Sequence, residues 1–152
     1  MAYTTIKKPS DYFNTVTYTG NGVDNRDITG LDFQPDMLWS KRRDSADNHS
    51  IYDIVRGDGK ELRTADTGAD YDRTNNIQSL NSDGFQVGDD SQVNASGGTY
   101  VSWGWSGGGT GVANTDGSIS STVSANTTSG FSIVKFTPTG SASTIGHGLG
   151  VA

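Results

Sequence analysis

Residues 100–105, YVSWGW, decide the fold class of this chain. Large and small side chains alternate here, so Val101, Trp103 and Trp105 share one face of an extended strand, and the residues between them share the other. No segment sustains the i, i+3, i+4, i+7 spacing of an amphipathic helix. The apolar residues come in short runs between turn residues, so the sequence predicts an all-β fold with the strand spacing of a sandwich or a barrel.

The scarcity of large apolar residues indicates which face of each predicted strand points into the core. The chain has three Trp among 152 residues, and a domain with so few needs them inside. We therefore expect Trp39 and Trp103 in the core, together with Val16 and Tyr18 of the first strand. Strands are predicted at residues 14–19, 37–43, 51–56, 77–80, 85–87, 100–105 and 132–137.

Turns and loops separate these strands. Residues 81–84, NSDG, have the composition of a hairpin turn. Residues 58–76 are dominated by Asp, Thr, Arg and Gly, and we expect a long surface connection there. Residues 106–130 are almost entirely Gly, Ser, Thr and Asn, which predicts a loose excursion with one short strand near residues 118–123.

The beginning and the end of the chain carry related sequences. Residues 13–22, FNTVTYTGNG, are matched by residues 131–140, FSIVKFTPTG, and the match continues from residues 28–31 to residues 145–149. Such self-similarity is typical of a repeating module, so we interpret the chain as one complete module followed by the opening hairpin of another. We expect the final strand to pair with the first strand or with the same element of another subunit, which predicts a homo-oligomer.

The length of 152 residues suits one domain and is too short for two. Within it, the repeat and the composition mark four segments. These are an N-terminal arm at residues 1–12, a β-sandwich core at 13–105, the polar excursion at 106–130, and a C-terminal strand at 131–152 that repeats residues 13–34.

The composition excludes several classes of function. A net charge of −6 and a pI near 4.6 disfavour nucleic-acid binding, which depends on clustered Lys and Arg. The absence of Cys excludes disulfides, thiol catalysis and Cys-based zinc sites. Residues 1–9 have no apolar core of signal-peptide length, and no later segment is long enough to span a bilayer. We expect a protein made without a signal peptide and without membrane insertion.

Few residues are candidates for catalysis or metal binding. His49 near Asp53 and Arg56 is a candidate acid–base cluster, although a turn histidine beside a buried Asp–Arg pair explains the same residues. Six aspartates raise a calcium hypothesis because hard cations take carboxylate oxygens; solvated loop acids are the simpler interpretation, since the spacing fits no twelve-residue calcium loop. Residues 107–109, GGG, lack the Lys-Ser/Thr pair of a phosphate-binding loop. We assign no catalytic residue, cofactor or metal. The six aspartates are Asp66, Asp70, Asp72, Asp83, Asp89 and Asp90.

The aromatic residues give the strongest argument for a ligand. Sugars stack on exposed Trp and Tyr faces and bond to Asp and Asn side chains, which this chain has in quantity. Trp105 lies next to the glycine-rich excursion, and the sequence allows it either to be exposed to solvent or to pack in the core. We predict Trp105 and Tyr100 as ligand-contact residues.

Five motifs occur in order along the chain: ITGL at 28–31, FQPDMLWSK at 33–41, YDIVRG at 52–57, SDGF at 82–85 and YVSWGW at 100–105. Together they resemble an uncharacterised repeat module of virion structural proteins in tailed bacteriophages of marine bacteria. Residues 114–150 are similar to the junction between tandem copies of that module. The resemblance thus covers nearly the whole chain.

The resemblance implies a non-enzymatic structural protein of the virion, made in the host cytoplasm and built on an antiparallel β-sandwich of the jelly-roll or concanavalin-like type. The expected location is the particle surface, as a capsid decoration or knob-like protein that mediates attachment. The expected partners are other capsid or tail proteins and host-surface glycans. Three alternatives stay open: a tail-fibre segment, a carbohydrate-binding adhesion module, and a glycan depolymerase, which needs a carboxylate pair at a cleft.

Overall fold

The structure is a computed structural model that describes residues 6–150 of the chain. In this part of the chain, regular structure is nearly all antiparallel strand, with one 3-10 turn at Pro9–Asp11 and one short α-helix. The predicted all-β antiparallel sandwich is confirmed. The elements are β1 Phe13–Thr19, β2 Arg26–Thr29, β3 Met37–Arg42, β4 Ser50–Asp53, β5 Lys60–Arg63, β6 Tyr71–Asp72, β7 Ile77–Asn81, β8 Gly84–Val87, α1 Ser91–Asn94, β9 Thr99–Trp105, β10 Val112–Asn114, β11 Ser121–Asn126 and β12 Phe131–Phe136.

The described strands form three sheets. The large sheet has six strands in the order β1-β9-β3-β4-β5-β6, the cover sheet has the order β2-β8-β7, and the terminal sheet has the order β10-β11-β12. The core lies between the large sheet and the cover sheet. Leu38 and Tyr52 enter it from the large sheet, and Ile28, Phe85 and Val87 enter it from the cover sheet.

Val16 and Tyr18 point into this core, as predicted. Both are half-buried and pack against the buried cluster. The Tyr18 ring stacks on Tyr100 with centroids 5.0 Å apart and meets Phe85 edge-on at 6.1 Å. β1 therefore closes one side of the core with its apolar face and turns its threonines outward.

Trp39 and Trp103 do not lie in the core, contrary to the prediction. The alternation in residues 100–105 is as predicted, but the inward face is the one that carries Tyr100, Ser102 and Gly104. A Cβ on Gly104 would lie 2.9 Å from Leu31 Cδ1. At Gly104 the next layer approaches the strand so closely that a larger inward side chain would not fit, and the tryptophans take the outer face.

Residues 58–76 are not the continuous surface connection that the sequence predicts. They contain β5 and β6, which extend the large sheet beyond β4. Glu61 of β5 is wholly buried, and its carboxylate accepts hydrogen bonds from Ser50 Oγ at 2.7 Å and Arg63 Nε at 3.0 Å. A buried carboxylate is stable only when paired in this way. The sequence did not predict β5 as a strand because its inward residue, Glu61, is charged and gives no apolar alternation.

Residues 106–130 and the final strand form the terminal sheet. The sequence predicts one short strand near residues 118–123, whereas the structure has β10 and β11 in this segment. β12 pairs with β11 and not with β1, whose partner is β9. The predicted pairing of the final strand with the first strand is therefore wrong. A hairpin between neighbouring strands closes a much shorter loop, which costs less entropy.

Two predicted segments extend beyond the described residues, the N-terminal arm at residues 1–5 and the C-terminal segment at residues 151–152. The described part of the arm ends in the 3-10 turn, where Tyr12 N–H donates to Pro9 O at 3.0 Å. Its Lys8 pairs with Asp11 at 2.8 Å on the surface. The arm leads directly into β1.

A buried carboxylate joins the terminal sheet to the large sheet. Asp36 is 5% exposed, and its Oδ2 accepts hydrogen bonds from the backbone N–H groups of Gly107 at 2.7 Å and Gly109 at 3.1 Å. A Cβ on Gly107 would lie 3.0 Å from the Asp36 Cβ, so glycine permits this close approach. The glycine run is thus wrapped around an anionic side chain of the same chain.

Two tyrosines make the stability of the fold sensitive to high pH. Burial raises the pKa of Tyr18 and Tyr52 well above the usual value near 10. The unfolded chain therefore loses these protons first, so their contribution to stability is complete below about pH 10 and falls as the pH rises further. We expect each tyrosine to lower the free energy of unfolding by about 1.4 kcal/mol per pH unit above that point. Thermal unfolding followed against pH should show a shallower decline for Tyr52→Phe, and an unchanged decline would contradict this assignment.

Candidate ligand-binding groove

The outer face of the large sheet carries four aromatic side chains in adjoining positions. Phe13 of β1 lies opposite Trp105 of β9, and Trp39 of β3 lies opposite Trp103 of β9. These side chains point away from the core, because the alternate residues of β3 and β9 are the buried ones. The strand order β1-β9-β3 brings together three segments that are far apart in the sequence.

We call this surface the aromatic groove. Phe13, Trp39, Trp103 and Trp105 line an open depression of about 330 Å³. The rings of Phe13 and Trp105 are 4.9 Å apart with an interplanar angle of 52°, and those of Trp39 and Trp103 are 6.1 Å apart with an angle of 68°. Since the rings are tilted against each other, they form walls and not a flat plate, and an occupant would meet both ring faces and ring edges.

The groove offers few hydrogen-bonding groups. Trp39 Nε1 donates to His49 Nδ1 at 2.9 Å, and this contact accounts for the position of His49. The indole N–H groups of Trp103 and Trp105 have no acceptor among residues 6–150. A buried N–H without an acceptor is costly. An occupant that covers the groove should therefore bring hydrogen-bond acceptors as well as apolar surface.

Trp105 connects the groove to the terminal sheet. Phe131, the first residue of β12, stacks on Trp105 with centroids 6.3 Å apart and an interplanar angle of 26°. Phe13, the other ring against Trp105, is 42% exposed. A movement of the terminal sheet would thus change the contacts of Trp105, which forms one wall of the groove.

Of the two predicted ligand-contact residues, only Trp105 lies at the groove. Tyr100 is wholly buried; its hydroxyl donates to Ser91 O at 2.8 Å and accepts from Ala95 N–H at 2.8 Å. The prediction for Tyr100 is wrong, because Tyr100 and Trp105 point to opposite faces of β9. Contact of Trp105 with a ligand stays a prediction.

Three of the four groove residues were not predicted from the sequence to lie on this surface. Trp39 and Trp103 were expected in the core, and Phe13 had no expected role. The available signal was the pair of small residues Ser102 and Gly104, which marks the face of β9 against which another layer packs closely.

A family model described as "Domain of unknown function (DUF7483)" matches residues 8–152. The chain belongs to the DUF7483 family. The matched range includes all the strands named above and the four groove residues. No curated protein and no solved structure matches the chain. In residues 6–150 of this DUF7483 member, no helix has both the length and the apolar character needed to cross a membrane.

In this DUF7483 chain, Asp53 and Arg56 form a closed turn and not an acid–base site with His49. Asp53 Oδ2 accepts a hydrogen bond from Arg56 Nε at 2.6 Å, and Oδ1 accepts from the backbone N–H groups of Val55 and Arg56 at 3.0 and 2.8 Å. The turn after β4 brings the two side chains together, which a regular strand would not do. Asp53 is 7% exposed, so its carboxylate serves the turn.

Five of the six aspartates considered for calcium take part in separate hydrogen bonds or ion pairs of this DUF7483 chain. Asp90 pairs with Arg73, and Asp72 pairs with Lys60. Asp83 accepts backbone hydrogen bonds from the loop after β2. No three His, Cys, Asp or Glu side chains within residues 6–150 come together in a way that would hold a metal ion. We therefore assign no metal site to these residues.

Proposed function

We propose that this protein is a non-enzymatic structural protein of a bacteriophage virion, displayed on the particle surface as a capsid decoration or knob-like protein. In this proposal the aromatic groove is the surface that attaches to the host. The virion location rests on the motif resemblance given above, and the attachment role rests on the groove.

The observation that carries the attachment role is the outward position of Trp39, Trp103 and Trp105. These are the three Trp of the chain, and burial in the core would stabilise the fold most. Exposed clusters of large apolar residues mark interaction sites, and Trp is among the residues that contribute most to binding. A binding role explains why the chain keeps all three on one outer face, where they are only partly buried.

Carbohydrate is the ligand class that the groove fits best. The apolar faces of sugar rings can cover the aromatic walls, and the hydroxyl oxygens can accept hydrogen bonds from the indole N–H groups of Trp103 and Trp105. A purely apolar partner would bury these two donors without acceptors, at a cost of about 1–3 kcal/mol each. The indole N–H groups of Trp103 and Trp105 thus favour the second candidate, a carbohydrate-binding adhesion module, which is compatible with a place on the virion.

Hydrolysis of the bound sugar has less support than binding. A glycosidase needs two carboxyl groups about 5–10 Å apart across the scissile bond, and the residues that line the groove carry none. Asp53, the acid candidate from the sequence, is engaged by Arg56. We expect Asp53→Asn to reduce stability through the turn after β4, with no change in glycan binding.

Trp103→Ala should weaken glycan binding strongly. Loss of one large aromatic contact corresponds to about 1.5–3 kcal/mol, or roughly a 10- to 100-fold weaker affinity. The measurement is binding of the purified protein to a broad glycan array, followed by titration calorimetry with the best-bound glycan. Circular dichroism of the variant establishes that the fold is intact.

Leu62→Ala is the matched control for this measurement. Leu62 is an exposed apolar residue of the same sheet, 40% exposed, and lies outside the groove lining. It should bind glycans as the unmodified chain does. Equal binding by the Trp103 and Leu62 variants would remove the groove from the proposal, and silence across the array would remove carbohydrate as the ligand.

The place on the particle needs a separate experiment. Gold-labelled antibody against this protein, applied to purified phage particles, should mark the capsid surface if the protein is a decoration or knob. Label along the tail would support a tail-fibre segment. Particles without label would contradict the virion assignment, whatever the outcome of the glycan measurements.

A further inference from the structure

Two edge strands of this protein carry related sequences. β1 lies at one edge of the large sheet, and β12 lies at one edge of the terminal sheet. Phe13 at the start of β1 corresponds to Phe131 at the start of β12, so odd-numbered residues of one strand correspond to odd-numbered residues of the other. Within residues 6–150 the outer edge of each of these strands has no partner strand, so the two edges can be compared residue by residue.

The even-numbered residues of β1 face its partner β9. Gly20 N–H donates to Gly98 O at 2.8 Å, and Ser106 N–H donates to Tyr12 O at 2.8 Å, which extends the β1–β9 ladder at both ends. In an antiparallel strand, the backbone groups of successive residues point to opposite edges. The odd-numbered residues of β1 thus face the open edge.

Side-chain contacts at the open edge of β1 agree with this assignment. Thr15 N–H donates to Asn14 Oδ1 at 2.9 Å, and Thr19 O accepts from Arg26 Nη1 at 2.7 Å. Thr17 lies between them and turns its backbone N–H and C=O to the same edge. The open edge is therefore covered at its two ends and accessible in its middle.

In β12 the odd-numbered residues, and not the even-numbered ones, face the partner strand. Asn126 lies opposite Phe131, and the loop between them is closed by Gly130 N–H donating to Asn126 O at 2.9 Å. This hairpin closure places Phe131 in a hydrogen-bonded pair, so the odd-numbered residues of β12 face β11. The edge that β12 uses to bind β11 is the edge that β1 leaves open.

From this correspondence we infer that the open edge of β1 is a docking edge for β11 of a second copy of this chain. Within its own chain, β12 occupies that position on β11 and competes with β1 of the second copy. The β11–β12 ladder is the intramolecular form of the same interface. Assembly then proceeds by strand exchange, in which β1 of one copy takes the place of β12 in the next.

The side chains around β12 favour such an exchange. No residue of β12 is buried, and Phe136 is 45% exposed, so β12 is held mainly by its ladder with β11. The contact with Trp105 is made by Phe131, which corresponds to another phenylalanine, Phe13. The entering strand would therefore place a phenylalanine, itself packed on Trp105 of its own chain, at the position of Phe131.

The exchange works in one direction only. Gly20 after β1 corresponds to Pro138 after β12. A Cβ on Gly20 would lie 2.2 Å from Ala95 O, and proline has no N–H to donate to Gly98 O. β12 therefore cannot replace β1 on β9, while β1 can replace β12 on β11. Copies would join head to tail, which generates a ring or an open chain.

Cross-linking of cysteine variants tests the register of this interface. Lys135 lies opposite Thr122 in the β11–β12 ladder, and Thr17 corresponds to Lys135. In the exchanged pair, Thr17 would lie opposite Thr122 with Cα atoms about 5.5 Å apart, within reach of a disulfide. The chain has no Cys of its own. We expect a mixture of full-length Thr17→Cys and Thr122→Cys chains to form a disulfide-linked heterodimer under mild oxidation.

Ala125→Cys is the matched control for the cross-link. Ala125 lies on the same strand but opposite Ser132, which corresponds to Asn14. A mixture of Ala125→Cys and Thr17→Cys should cross-link several-fold less. Equal cross-linking by Ala125→Cys and Thr122→Cys, or cross-linking by neither, would overturn the proposal.

Weakening β12 in the full chain should promote assembly. Ile133→Pro removes an N–H that faces β11, whereas Val134→Pro removes one that faces the open edge. We expect light scattering to show concentration-dependent multimers for Ile133→Pro and an unchanged mass for Val134→Pro. The double variant that carries both Ile133→Pro and Thr17→Pro should be a monomer. Multimers that persist with Thr17→Pro would be non-specific and would overturn the proposal, as would an unchanged mass for folded Ile133→Pro. If Ile133→Pro does not fold, the cross-linking of the Thr17→Cys and Thr122→Cys chains, which are otherwise unmodified, tests the proposal.

Discussion

Replacement of Phe85 by alanine is expected to lower the free energy of unfolding by about 3–5 kcal/mol, the range for loss of a buried aromatic ring. Phe85 is wholly buried in the cover sheet, between Ile28 of β2 and Leu80 of β7. Its ring also meets Tyr18 of the large sheet. Alanine would leave a cavity at the point where the two layers of the core meet, and neither sheet can move into it without breaking its own ladder.

The measurement is urea denaturation of the purified variant. Phe136→Ala is the matched control, since the same side chain is removed from a site that is 45% exposed. This control should cost less than about 1 kcal/mol. A loss for Phe85→Ala as small as that for Phe136→Ala would mean that the core does not lie between the large sheet and the cover sheet.

Asp36→Ala is the second substitution with a large expected effect. The carboxylate accepts two backbone hydrogen bonds, from Gly107 and Gly109, and hydrogen bonds to a charged group contribute about 1.5–3 kcal/mol each. Removal of the carboxylate leaves the two N–H groups without their acceptor in a buried site, since Asp36 is 5% exposed. We expect a loss of about 3 kcal/mol or more in the free energy of unfolding.

The same substitution should also disturb the groove. Asp36 holds the loop that leads from β9 into the terminal sheet, so its loss should loosen the contact between Trp105 and Phe131. Asp70→Ala, in an exposed loop, serves as the control and should change neither stability nor tryptophan fluorescence. Native-like stability and fluorescence for Asp36→Ala would show that the glycine loop is held by other contacts.

The groove and the open edge of β1 can be tested independently. Trp103 lies on a sheet face and Thr17 on a sheet edge, so their substitutions should affect different measurements. Trp103→Ala should lose glycan binding and keep the Thr17–Thr122 cross-link. Thr17→Pro should keep glycan binding and block assembly. A single substitution that abolished both would indicate loss of the fold.

Alternation within a strand was predictable because it depends only on local backbone geometry. The inward positions of Val16 and Tyr18, the two faces of residues 100–105, and the hairpin turn at residues 81–84 are confirmed. The final strand, predicted at residues 132–137, is observed at Phe131–Phe136. The alternation and the hairpin turn are set by residues that are neighbours in the sequence.

The burial of a given face was not predictable in the same way. Hydrophobicity alone places Trp39 and Trp103 inside, but the space on the inner side of β9 is already taken by Leu31 against Gly104. The strand at residues 60–63 was missed for a related reason, since Glu61 is buried through partners on other strands. Both outcomes depend on contacts between segments distant in the sequence.

The sequence alone determined that this chain is an all-β protein without thiol chemistry, and that its last strand is a copy of its first. The tertiary structure decided that the tryptophans line one groove on the outer face of the large sheet, that Tyr100 is buried away from it, and that β12 pairs with β11. Backbone alternation and turn formation are local and can be read along the chain. Burial and strand pairing are settled by how closely the layers approach and by which hydrogen-bonding edge is free, and these are properties of the assembled sheets.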